Sequence, residues 1–117
     1  MGIVGVGIDV VAISRFDEAV ERSPGFVNRI FTPAERTLGA HSLAARWAAK
    51  EALAKALGAP GTLQWHDAEV TRENGGKPQL HVRGTVEQRA RELGIVRFHL
   101  SLSHDAGIAS AVVIGED

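Results

Sequence analysis

The stretch SLAARWAAKEALAKALG, residues 42–58, decides how the rest of the chain is read. Seven of the fifteen residues 43–57 are alanine, the residue with the strongest helix propensity. Ser42 reads as an N-cap and Gly58 as the residue that closes the helix, with Pro60 just beyond. The spacing predicts one long helix. Steps of four place Trp47, Glu51 and Lys55 on one stripe, and Arg46 and Lys50 on the stripe beside it. One carboxylate therefore sits among three cations. Taken alone, this is also what a solvated face with a Glu51–Lys55 ion pair looks like. The sharper reading is a site for a metal and phosphates, with Glu51 on the cation and the basic side chains on anionic oxygens.

Working outward, 117 residues at 44% hydrophobic fit one domain, 1–117, with a small core. The net charge of −1 argues against a dedicated nucleic-acid binder. Without cysteine there is no disulfide, thiolate nucleophile or cysteine zinc site, which suits a cytoplasmic setting. The opening MGIVGVGIDV is apolar but too short to span a membrane, and it lacks a basic flank.

Residues 3–11 alternate as a strand, with Val4, Val6, Ile8 and Val10 expected to face the core. The other face carries Gly5, Gly7 and Asp9, bare enough for a backbone or a ligand to approach. Asp9 is either a strand-end residue or a metal carboxylate. Ser14, with Asp17 three residues on, predicts a cap for a helix over 15–22. A short helical turn follows over 26–31. Arg15, Arg22 and Arg29 recur every seven residues, but Pro24-Gly25 interrupts the run. Thr32-Pro33-Ala34-Glu35 is a capping-box pattern opening a short helix before the long one. After Pro60 the pattern predicts a strand within 63–71, a turn at 73–78, and a strand over 79–83, together a hairpin. The Asn-Gly-Gly-Lys turn, residues 74–77, is a turn first and a phosphate cradle second. Thr85-Val86-Glu87-Gln88 is another capping box, for a helix ending at Gly94. Strands are expected from Val96 to His104-Asp105 and over 108–114, antiparallel across Ala106-Gly107. The fold class is α+β: helices on one face of a largely antiparallel sheet around one long helix.

Four pieces then align: GVGIDVV (5–11), FTPAE (31–35), RWAAKEALAKALG (46–58) and SLSHD (101–105), with Gly76-Lys77-Pro78 before the last. In this order and spacing the chain resembles the small 4′-phosphopantetheinyl transferases of the holo-acyl-carrier-protein synthase type over nearly its whole length. The resemblance implies transfer of the phosphopantetheine arm of coenzyme A to a serine of apo acyl carrier protein, in fatty acid or polyketide synthesis. The other product is adenosine 3′,5′-bisphosphate. Asp9 and Glu51 match the family's magnesium ligands, and Lys55 its pyrophosphate lysine; these three are the implied catalytic set. Arg46, Ser103, His104 and the Gly76, Lys77, Pro78 turn would hold the nucleotide part of coenzyme A. Lys50 joins the implied coenzyme-binding set, although its offset from Glu51 turns it about 100° away. Asp105 departs from the pattern and is either a third metal ligand or a turn former. The serine proton goes to Glu51 directly or through a water held by the ion. Arg15, Arg22 and Arg29 match a basic surface for the acidic carrier. The family further implies a homotrimer with sites between subunits. The alternative is a non-catalytic oligomer that binds coenzyme A or a carrier protein.

Overall fold

Residues 2–73 and 75–117 are described in the computed structural model. The elements run β1 (Ile3–Ala12), α1 (Ile13–Arg22), α2 (Phe26–Ile30), a 3-10 turn (Glu35–Thr37) and α3 (Ala40–Ala56). A second 3-10 turn (Trp65–Asp67), β2 (Ala68–Arg72), β3 (Pro78–Val82), α4 (Gly84–Leu93), β4 (Arg97–Asp105) and β5 (Ile108–Glu116) complete the chain. One antiparallel sheet has the order β1-β5-β4, and β2 and β3 form a separate antiparallel hairpin. The expected α+β architecture is present. Asn74, in the predicted turn, lies outside the described residues. Among the described residues, no helix is long and apolar enough to cross a membrane.

α3 is the predicted long helix, but Ser42 does not cap it. The helix begins two residues earlier, with the extended Gly39 as its cap residue and Leu43 N–H donating to the Gly39 carbonyl. Its other end closes as read. Gly58 adopts φ +82°, and the Ala59 N–H reaches back 2.7 Å to the Ala54 carbonyl while the Gly58 N–H reaches Lys55. This is a Schellman closure, which needs the left-handed conformation that glycine supplies without steric cost.

The other cap motifs divide. At Thr32 and Glu35 the box forms reciprocally: the Thr32 N–H donates to Glu35 Oε1 at 3.0 Å, and the Glu35 N–H to Thr32 Oγ1 at 3.4 Å. Ser14 lies inside α1, whose cap residue is Ala12 and has no side-chain cap bond. Thr85 lies inside α4 and is engaged elsewhere: its hydroxyl and N–H both donate to Asp67 Oδ2. Thr32 keeps its cap while its hydroxyl also donates to Glu69, whereas the Thr85 hydroxyl is drawn to Asp67.

The faces of β1 are reversed from the expectation. Val6, Ile8 and Val10 are 56%, 61% and 60% exposed, while the glycine face packs on α3. A Cβ on Gly7 would sit 1.8 Å from the Ala52 carbonyl oxygen, and one on Gly5 would sit 2.1 Å from that of Ala56. Helix backbone meets strand backbone here, which only glycine opposite alanine permits. Counting apolar residues pointed to the wrong face; the need for close approach decided it. On β5 the inward residues are Ala109, Ala111 and Val113, and on β4 Phe98, Leu100 and Leu102 pack against the same core. A second cluster forms around Phe16, which stacks edge-on with Phe26 and Phe31 at 5.9 and 6.1 Å.

Candidate active site

Asp9 leaves β1 on the glycine face and so points at α3. Lys55 Nζ lies 3.1 Å from Asp9 Oδ1 and donates to the Ile8 carbonyl at 2.9 Å. Glu51, one helical turn before Lys55, is half-buried. Its carboxyl is pushed above the ordinary glutamate range by burial and by the Asp9 charge, with Lys55 opposing. Two carboxylates that repel each other, one already holding an ammonium, suit a hard cation with oxygen ligands. The sequence-predicted Asp9, Glu51 and Lys55 are therefore brought together. Among the described residues, no group of three or more acidic, histidine or cysteine side chains could hold a metal. Asp105 is not added to the pair within one chain. Asp9 aligns with Ala111 and Leu102, and Asp105 with Ile108. Two strand spacings and three residues of rise put Asp105 about 14 Å from Asp9.

Lys50 is corrected by the structure. It is 2% exposed, and its Nζ lies 2.8 Å from Glu35 Oε1. The ammonium also donates to the carbonyls of Ile30, Trp65 and Ala68 at 2.9, 3.1 and 2.7 Å. Burial presses the ammonium toward its neutral form, and Glu35 opposes. Every donor is committed to the fold, so Lys50 has none left for coenzyme phosphates.

Arg46 is also mostly buried, its Nε donating to the Val70 carbonyl at 3.1 Å. It nevertheless lines a polar cavity of about 210 Å³ with Ser42, Arg72, Ser103 and His104. Arg72, at the end of β2, was not singled out from the sequence. It belongs to no motif, and the docking of β2 on α3, where Arg46 holds the Val70 carbonyl, brings it beside Arg46. The imidazoles of His41 and His104 lie 6.1 Å apart at the same end of α3. Gly76, Lys77 and Pro78 follow Arg72 at the tip of the β2–β3 hairpin. An apolar cavity of about 270 Å³ lies along α3, walled by Leu53, Ala54, Pro60, Leu63, Trp65 and Val86. Arg15 and Arg22 are exposed on α1, seven residues and so about 20° apart on one face. Arg29 is exposed on the separate α2.

A carboxylate pair with a lysine, basic and apolar cavities, and an antiparallel sheet against one long helix define an α+β domain suited to phosphate transfer. The chain belongs to the 4′-phosphopantetheinyl transferase superfamily, whose family model matches residues 5–110. It is 62% identical over 114 residues to a holo-acyl-carrier-protein synthase of Beutenbergia cavernae, covering 97% of this chain and 98% of that one. A synthase of the same name from Streptomyces coelicolor is 60% identical over 122 residues, covering 99% of both. The solved synthase of Neisseria meningitidis superposes with TM-score 0.89 at 31% identity, covering 99% of this chain and 100% of that one. A Chronobacterium ammoniagenes synthase solved with CoA gives TM-score 0.85 at 31% identity, covering 98% and 97%.

Proposed function

We propose that this chain transfers 4′-phosphopantetheine from coenzyme A to a serine of apo acyl carrier protein, with magnesium held by Asp9 and Glu51. The observation that carries the reading is the meeting of Asp9, Glu51 and Lys55 across the β1–α3 contact. The serine Oγ forms a bond to the phosphorus bearing the pantetheine arm. The bond from that phosphorus to the bridging oxygen breaks, and adenosine 3′,5′-bisphosphate leaves. A bound magnesium ion supplies charge neutralisation for the pyrophosphate. Lys55, half-exposed beside Asp9, donates to the anionic oxygens. Glu51, beside Asp9 at the β1–α3 contact, takes the serine proton. The polar cavity of Arg46, Arg72, Ser103 and His104 suits the 3′-phosphate, with the Gly76–Pro78 turn beside it. The apolar cavity along α3 suits the pantetheine arm.

The arrangement favours a site shared between copies. Arg46 lies about 140° around α3 from Glu51 and about 7.5 Å along it. One ligand spanning both within a single chain would have to wrap the helix. The exposed Val6, Ile8 and Val10 align with Ile114, Val112 and Ser110, respectively, in a largely apolar sheet face that self-association would cover. A homotrimer, in the cytoplasm, is the proposed form, and a second copy would also be needed to bring an Asp105 to the carboxylate pair. Arg15 and Arg22, joined by Arg29, are the proposed docking surface for the acidic carrier.

Intact-protein mass spectrometry tests the reaction. Apo acyl carrier protein incubated with this chain, coenzyme A and magnesium gains one phosphopantetheine mass. The gain is lost with chelator and with Glu51→Ala. No gain with several carriers would favour a non-catalytic coenzyme A-binding oligomer.

A further inference from the structure

The FTPAE motif at residues 31–35 and the buried Lys50 play no part in the proposed chemistry, yet they are joined in the interior. Glu35, 1% exposed, accepts from the Thr32 N–H, from the Val70 N–H at 2.8 Å and from Lys50. Lys50 in turn grips the end of α2, the second 3-10 turn and the start of β2 through three carbonyls. Thr32 Oγ1 donates to Glu69 of β2, and Arg46, one turn earlier on α3, donates to Val70. Four segments are thus pinned to one side of α3.

The opposite side of α3 carries a weaker polar grip, the half-exposed Lys55 on Ile8 and Asp9 of β1. It packs through Ala45, Ala48, Ala49, Ala52 and Ala56, and meets bare glycine on β1. Alanine has no side-chain rotamers and presents no shaped knob, so such a surface resists separation more than rotation. We propose that Lys50 and Glu35 are positioning residues. Their buried pair fixes the rotation of α3 about its axis, and so aims the adjacent Glu51 at Asp9. The lever is short. At about 5–6 Å from the helix axis, a turn of about 10° moves a carboxylate about 1 Å. A displacement of about 1 Å costs on the order of 100-fold in a preorganised site. Buried ion pairs are poor sources of net stability, and fixing register is their best-attested use.

This inference rests on reading Asp9 and Glu51 as the metal carboxylates, so its test reads metal affinity directly. The probe is Mn2+ bound to the full chain without coenzyme A, followed by electron paramagnetic resonance at a temperature where circular dichroism shows every variant folded. The variants are Lys50→Met/Glu35→Gln, which removes both buried charges, and Ile95→Ala, a core truncation between α4 and β4 that loosens the fold away from the pair and from both cavities. The expected result is a Kd weakened about 10–100-fold in the double variant, and within about twofold of wild type in Ile95→Ala at comparable melting loss. Equal weakening in both, or none in the double variant, overturns the inference. Glu35→Gln alone, which leaves Lys50 its three carbonyls, serves the same comparison if the double variant does not fold. If wild type binds no Mn2+, or Asp9→Asn binds it equally well, the carboxylate reading itself fails, a result distinct from either of the others.

Discussion

Gly7→Ala probes the β1–α3 contact on which the whole site stands. The added Cβ would lie 1.8 Å from the Ala52 oxygen and 2.8 Å from the Ala56 nitrogen, both backbone atoms that no rotamer can move. Since Cβ atoms hardly approach within 3.0 Å of such atoms, α3 must retreat by about 1.2 Å. Overpacking of this kind costs about 1–3 kcal/mol, and a backbone-limited clash belongs at the upper end. Replacing glycine by alanine in a strand returns about 0.5–1 kcal/mol, leaving a net loss of about 2 kcal/mol. For a domain of this size that corresponds to about 8 °C in Tm. The retreat also separates Glu51 on α3 from Asp9, two residues along β1. Transfer should therefore fall about 100-fold even at temperatures where the variant is folded. Thermal and urea unfolding, with the mass-spectrometric transfer assay, read both effects. Gly61→Ala, where a Cβ meets nothing within 4 Å, should stay within about 0.5 kcal/mol of wild type. A Gly7→Ala protein melting within about 2 °C of wild type with full transfer would refute the backbone-contact argument.

Glu51 carries a pH prediction. Its carboxyl is held above the ordinary range in the folded chain, so its ionised form costs stability that its protonated form does not. Stability is lost as pH rises through the unfolded carboxylate value toward the folded one, and stays lost above it. With chelator present, Glu51→Gln should melt higher than wild type at pH 7.5, with the gap closing toward pH 4. Ile8→Glu, on the exposed sheet face, should shift the sedimentation profile to monomer and abolish transfer; unchanged assembly would remove that face from the interface. Arg15→Glu with Arg22→Glu should raise the carrier KM about tenfold or more while leaving the coenzyme A KM unchanged. The wild-type advantage should shrink as salt rises past the physiological range, because screening shortens the reach of exposed charge.

The long helix, the hairpins and the antiparallel run of β4 and β5 were legible because each rests on local periodicity and turn chemistry. The carboxylate pair was legible because two short motifs each placed an acid beside small residues. Arg72 was not, since it enters the polar cavity through the docking of β2 on α3, and that docking is a tertiary choice. Ser14 misled because α1 begins one residue before it, at Ile13, and Thr85 because its hydroxyl and N–H go to Asp67.

By itself, the sequence determined the elements and the chemistry: an alanine helix bearing Glu51 and Lys55, and a strand bearing Asp9 beside two glycines. Only the tertiary structure decided which way each faced. It turned β1 so that glycine met alanine at backbone distance and the valines faced out. It also drew Lys50 into the interior beside Glu35. Periodicity fixes which residues share a face, but not which face is inward. That is set by whether a neighbouring backbone can come close enough, and by whether a buried charge finds its partner.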